Sequence, residues 1–200
     1  MGKVFAQASV SLDGFIAGPG GSGIDRLFAW CAAGDVATPS AQPERLTYRT
    51  SAGSAAYLRD LIENTGSCVV GRRLFDLTNG WGGTHPMGDK PVFVVTHQAP
   101  QDWVNTGTPF VFITDGVESA IEKAVAAAGG LNVGVGPGST VAQALTAGLL
   151  DEIRLDLVPT VLGGGTPMLD GVRGVPVDFA DPEVIAGVGV THLIYRRARI

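Results

Sequence analysis

The stretch from Leu131 to Glu152, LNVGVGPGSTVAQALTAGLLDE, decides how the rest of the chain is read. Leu131, Val133 and Val135 alternate with small or polar residues, the two-residue period of a strand, and the run stops at Gly136-Pro137-Gly138. Ser139 and Thr140 follow as candidate caps of a helix that runs to about Ala147, and Gly148 closes it. A strand that enters a helix through glycines lets the backbone approach an anion closely. The free N–H groups and the positive end of the helix dipole then face that anion. The same joint also arises where glycine serves packing alone, so its neighbours must decide.

Working outward, Pro91–Thr96 (PVFVVT) and Pro109–Thr114 (PFVFIT) are continuous apolar runs, the pattern of strands buried on both faces. Val117–Ala128 is an Ala-rich helix with Val117, Ile121, Ala124, Val125 and Ala128 on one side. Upstream, a helix over Ser54–Asn64 precedes a short strand, Ser67–Val70, which runs into Gly71-Arg72-Arg73. This is a second strand-to-helix joint. Its two guanidiniums either grip a phosphate bidentately or lie idle on a helix surface.

Lys3–Leu12 reads as the first strand, with Val4, Ala6, Ala8 and Val10 on one face and Phe5, Gln7, Ser9 and Ser11 on the other. Polar Gln7 and Ser9 inside it point to a face that looks at a cavity, or to a half-exposed edge. Asp13-Gly14 marks a turn. Ile24–Ala33 carries a helical stripe with Asp25 in its first turn, where it favours the helix dipole. Residues 34–51 are polar and proline-bearing and read as a surface loop or insertion.

Downstream, Glu152–Pro159 alternates Ile153, Leu155 and Leu157 against Glu152, Arg154 and Asp156, a strand with one polar face. Val175–Ile185 and Gly189–Arg197 read as two further, antiparallel strands, with His192 on a surface or interface. Strands that repeatedly alternate with helices imply an α/β domain built on a mostly parallel sheet.

The 200 residues suit one domain, here 1–200 with an insertion at about 34–51. A net charge of −5 without a basic block disfavours nucleic-acid binding. No apolar run reaches the roughly 18 residues of a membrane span, and the N-terminal segment does not read as a secretory signal. Cys31 and Cys68 are far apart and read as reduced thiols of a cytoplasmic protein. His85, His97 and His192 are scattered without metal-ligand spacing, so no metal site is expected.

Five features stand in a fixed order: Ser11-Leu12-Asp13-Gly14, Gly71-Arg72-Arg73, Thr96-His97, Gly136-Pro137-Gly138-Ser139-Thr140, and Val158-Pro159 through Gly163-Gly164-Gly165. Together they resemble the dihydrofolate-reductase-like superfamily. Within it the match is to the branch of the reductase domain of the bifunctional riboflavin-biosynthesis deaminase/reductase (RibD). The resemblance implies a three-layer α/β fold with a mostly parallel central sheet, antiparallel C-terminal strands, and NADPH as cofactor. By that resemblance Gly71-Arg72-Arg73 meets the cofactor's phosphates at a helix N-terminus, and Thr96-His97 holds the adenosine 2′-phosphate. Gly136, Pro137, Gly138, Ser139 and Thr140 form the pyrophosphate loop, and Ile16 and Ala17 flank the nicotinamide.

Asp25 is the candidate for the acid that dihydrofolate reduction uses, and Gln7, Ser9 and Asp13 fall on the substrate side. Leu74 stands where family members often carry Thr. Val135 stands where the riboflavin-pathway reductase carries a substrate-binding Glu. The HxE and PCxxC motifs of a deaminase domain are absent.

The resulting expectation is a homodimeric reductase that transfers hydride from NADPH to a pterin-like or pyrimidine heterocycle. The alternatives are 5-amino-6-(5-phosphoribosylamino)uracil reduction, against which Val135 counts, and a cofactor-binding sensor without turnover.

Overall fold

A computed structural model describes residues 2–40, 42–44, 46–104, 106–174 and 176–198. The first strand, β1 (Val4–Ser11), is followed by a short β2 (Phe15–Ala17). The stripe expected as one helix over 24–33 breaks in two: α1 is only Ile24–Leu27, and a 3₁₀ turn covers Ala29–Ala32. Residues 34–51 are not simply a loop. Val36–Pro39 (β3) and Thr47–Thr50 (β4) pair as an antiparallel hairpin, with Thr38 and Thr50 buried. Alternating Thr38, Tyr48 and Thr50 carried that signal, and the prolines masked it.

Helix α2 (Ala52–Asn64) is capped by Ser51, whose side chain accepts from the Ser54 N–H at 3.5 Å. Then come β5 (Thr65–Gly71), α3 (Arg72–Leu77), β6 (Val92–Val95), β7 (Phe110–Ile113), α4 (Val117–Ala127), β8 (Asn132–Val135) and α5 (Ser139–Thr146). The chain finishes with β9 (Glu152–Val158), β10 (Thr166–Pro167), β11 (Glu183–Ala186) and β12 (Thr191–Arg196). Of the strand expected over Val175–Ile185, Val175 lies outside the described residues; among the described ones the strand is short, and upstream of Glu183 a single bridge, Phe179 to Arg197, continues the pairing.

Eight strands form one sheet in the order β11-β12-β9-β1-β8-β5-β6-β7. The six from β9 to β7 are parallel, and β12 and β11 add antiparallel pairs. This is the three-layer, mostly parallel α/β fold that the sequence implied. β5, β6 and β7 step outward in order, and the chain then returns to insert β8 between β1 and β5. A ligand crevice is expected beside such a return, beyond the carboxyl ends of the strands.

One layer holds α4 and α5. Val117, Ala120, Ile121 and Ala124 of α4, spaced i, i+3, i+4, i+7, pack with Val141, Ala144 and Leu145 of α5 on Val4, Ala6, Ala8 and Val10 of β1. Each large side chain buried there contributes about 1.5–3 kcal/mol. The other layer holds α2 and α3, with Phe75 of α3 on Cys68, Val70, Val92 and Val94.

On this second face the alternation of β9 has an unforeseen outcome. Its polar side is buried: Glu152, Arg154 and Asp156 are 1%, 6% and 0% exposed. His192 of β12 pairs in register with Asp156 and is fully buried, not on a surface. A two-residue period shows which side chains share a face. It does not show what covers that face, and here α2 and Trp30 cover it.

Candidate functional site at the carboxyl edge of the sheet

The six parallel strands end on one edge, and their loops bring three of the expected segments together. Gly71 is the N-cap of α3. A Cβ there would lie 2.8 Å from Thr140 Oγ1, so glycine is what lets the joint after β5 sit against the joint after β8. Gly136 N–H donates to Val69 O at 2.8 Å, and a Cβ on Gly136 would meet Leu74 and Val70 at 3.2 Å. Leu74 is therefore packing for the turn, not a ligand for phosphate.

The caps of α5 differ from expectation. Gly138, at φ +95°, is the N-cap; Ser139 is the first helical residue and exposed, and Thr140 is buried at 2%. Open space faces Gly138. Val141 and Ala142 N–H groups donate to Gly138 O at 3.1 and 3.3 Å. The N–H groups of Ser139 and Thr140 precede those bonds and stand at the positive end of the helix dipole.

The two arginines divide. Arg72 is tied inward: Nε donates to Asp76 Oδ1 at 2.7 Å, and Nη1 donates to Gln98 O at 2.9 Å and to Thr96 Oγ1 at 3.5 Å. It braces the loop after β6 against α3. Arg73, in the first turn of α3, and His97, on the loop after β6, are exposed. Arg72 and Thr96 fix the loop after β6 that carries His97.

Asp13 is a loop brace. Its Oδ1 accepts from Ser11 Oγ at 2.6 Å and from Leu162 N at 3.1 Å, and its Oδ2 accepts from Gly163 N at 2.7 Å. The Ser11 hydrogen bond, with those amides, holds its carboxyl below the ordinary range. Both oxygens are spent on the glycine loop after β9. That loop meets β2 closely: a Cβ on Gly165 would lie 2.0 Å from Ala17 O, so only glycine fits. Ile16 and Ala17 are half-buried in β2, which pairs with β10, and Ile16 packs on the main core.

The expected substrate-side residues lie elsewhere. Ser9 is 3% exposed and accepts from Trp30 Nε1 at 3.0 Å; Gln7 Nε2 donates to Asp156 Oδ2. Asp156 Oδ1 pairs with His192 Nδ1 at 2.7 Å, and His192 Nε2 meets Ser54 Oγ at 2.8 Å. Tyr57 stacks on the His192 ring at 4.2 Å, and Trp30 abuts it edge-on at 5.1 Å. Gln7 and Ser9 thus face a buried polar network rather than an open cavity. Nothing in the sequence separated that from a cavity face, because both place polar residues on one side of a strand.

Asp25 is exposed in a helix of four residues and engages none of these groups. Val135 is 2% exposed in the apolar core under α4 and α5. A glutamate at that position would be buried in that apolar core. Burial pushes the Cys31 and Cys68 thiols up to about 12, which leaves both inert as nucleophiles.

A profile of the RibD C-terminal domain matches residues 2–185. The chain belongs to the RibD C-terminal domain family. Solved structures of similar fold include a protein from Shewanella sp. PV-4 assigned to riboflavin biosynthesis (TM-score 0.67, 23% identity, 98% of this chain and 99% of that one). Acinetobacter baumannii RibD aligns at TM-score 0.66 and 13% identity over 100% of this chain and 59% of its own. Dihydrofolate reductase from Enterococcus faecalis, solved with NADP(H), aligns at 0.56 and 14% identity over 98% and 97%. At these identities the likeness shows the fold, which is the dihydrofolate-reductase-like fold. A search of curated proteins finds no match.

Proposed function

We propose that this member of the family is an NADPH-dependent reductase of a small heterocycle of pterin or pyrimidine type. The observation that carries the reading is that the Gly138 turn before α5 abuts Gly71 at the start of α3, which bears exposed Arg73, while Arg72 ties α3 to the loop after β6, which bears exposed His97. Two cationic or ionisable groups beside a glycine turn on a chain of net charge −5 suit a dinucleotide with an extra phosphate.

Ser139 and Thr140 N–H groups would hold the pyrophosphate, and Arg73 with His97 the 2′-phosphate. Gly71 keeps the two turns in contact, and Arg72 orients the loop that carries His97. Asp13 holds the glycine loop beside β2, so that Ile16 and Ala17 form one wall of the nicotinamide pocket. When bound, NADPH supplies hydride from its C4. The protein's part is position and exclusion of water.

A second reading, cofactor binding without turnover, draws on one observation. Of the nearby acids, Asp25 is exposed and disengaged, Asp13 is spent on backbone amides, and Asp156 lies enclosed. A screen of NADPH oxidation with dihydrofolate, folate, the ribosylated pyrimidine and simple carbonyls separates the readings. Oxidation with a heterocycle supports the reductase. Saturable NADPH binding with no oxidation in any case would favour the sensor.

A further inference from the structure

Four large apolar side chains stand in the open on neighbouring elements at the carboxyl edge. Leu12, Ile24, Phe28 and Val161 are 58%, 45%, 50% and 66% exposed. The Leu12 N–H donates to Thr160 O at 2.8 Å, which sets the turn after β1 beside the loop after β9. The start of α1 rests on that same loop. A Cβ on Gly23 would lie 2.6 Å from Leu162 Cδ2, and Leu162 packs on the cluster that holds Leu27 and Trp30. Ile24 and Phe28 lie one turn apart on one side of α1, where Phe28 N–H donates to Ile24 O at 3.1 Å. Helix α1 in turn packs on β2, whose Ile16 and Ala17 are the proposed nicotinamide wall.

Single exposed hydrophobics need no explanation, but a group of them beside a ligand crevice does. The charges around it narrow what it can take. Residues 12–25 and 159–169 contain neither Lys nor Arg, while Asp13 and Asp25 bring two carboxylates. Arg26 follows, but helical spacing puts it on the side of α1 opposite Ile24 and Phe28. A phosphorylated sugar would find no counter-charge here and would face like charge instead. An uncharged apolar group would cover open hydrocarbon. The patch is also small: half-exposed side chains in this number amount to a few hundred Å², short of the roughly 800 Å² a side that stable protein association buries.

We propose that the heterocycle reduced by this chain carries an uncharged apolar substituent, aromatic or alkyl, which lies on Leu12, Ile24, Phe28 and Val161, and that it carries no phosphorylated sugar. The inference rests on the reductase reading for the heterocycle; the patch supplies the class of its substituent.

The test uses the full chain with saturating NADPH and one dihydropterin in two forms, bearing a methyl or a benzyl group, beside the ribosyl-phosphate pyrimidine. The benzyl form should show a kcat/KM for NADPH oxidation about tenfold or more above the methyl form, since one ring is buried on apolar surface. The phosphorylated pyrimidine should be the poorest of the three. Phe28→Ser and Val161→Ser should each narrow the benzyl-to-methyl ratio, and both replace exposed side chains, so circular dichroism should report an unchanged fold. Methyl NMR gives a readout apart from turnover: the ring current of the benzyl form should shift the Leu12, Ile24 and Val161 signals. If no heterocycle is oxidised, the reductase reading fails, and those shifts still decide the substituent: their presence upholds the apolar subsite and their absence overturns it. Equal kcat/KM for the two dihydropterins, or preference for the phosphorylated pyrimidine, would also overturn the proposal. So would a dimer in sedimentation that Phe28→Asp dissociates, because a second copy would then cover the patch.

Discussion

Asp156→Ala is the substitution the buried polar layer is most sensitive to. Asp156 is fully enclosed, and its two oxygens pair with His192 Nδ1 and Gln7 Nε2. Truncation strands His192 Nδ1 where water does not reach and takes the acceptor from half-buried Gln7 Nε2. An unsatisfied buried group costs about 1–3 kcal/mol and a partly solvated one less, so the pair amounts to about 2–4 kcal/mol. A chain of this length loses roughly 2–4 °C of Tm per kcal/mol, so the melting temperature should fall by on the order of 10 °C. Urea unfolding followed by tryptophan fluorescence gives the free energy directly, provided the slope against denaturant is unchanged. Gln7→Ala made in the Asp156→Ala background should cost much less than Gln7→Ala alone, because the partner has gone already. A loss below about 1 kcal/mol for Asp156→Ala would refute the enclosed network, since only a hydrated cluster tolerates that change.

Glu152 has its carboxyl held below the usual value: burial pulls it up, but hydrogen bonds from Lys3 and Arg154 and their charges outweigh that. Its stabilising contribution is present above the unfolded value of 4.5 and is lost as pH falls through the lower folded value, so Glu152→Gln should flatten the acid limb of a plot of urea midpoint against pH. Burial, then the charge of Lys90, pushes His85 down to about 4. The folded form therefore resists protonation, stability should decline as pH drops from 6.5 towards 4, and the His85 ring signals should titrate near 4 by NMR. Asp13→Asn should speed amide exchange at Leu162 and Gly163, whose N–H groups the Asp13 carboxylate accepts; unchanged protection at both would show the brace to be idle.

The parallel core was legible because Val92–Val95, Phe110–Ile113 and the strand before Gly136 are apolar runs bounded by Pro and Gly, and α4 and α5 present clean helical stripes. The glycine turns were legible for the same reason: a positive φ at Gly138 and the close approaches at Gly71 and Gly165 admit little else. What escaped the sequence depends on distance along the chain. Asp156, His192 and Ser54 meet from three elements, and none carries a local signal of its neighbours. The two adjacent arginines looked equivalent, yet one turn of helix directs Arg72 onto Asp76 and Gln98 and leaves Arg73 exposed.

The central claim is a dinucleotide site that reads the 2′-phosphate, and the measurement that bears on it most directly is calorimetric titration of NADPH and NADH into the wild-type chain and Arg73→Ala. NADPH is expected to bind more tightly than NADH by about tenfold or more, the worth of one charge-assisted contact. Arg73→Ala should remove most of that preference while leaving NADH affinity little changed. Equal affinity for the two cofactors, equal loss of both in Arg73→Ala, or no binding of either would contradict it.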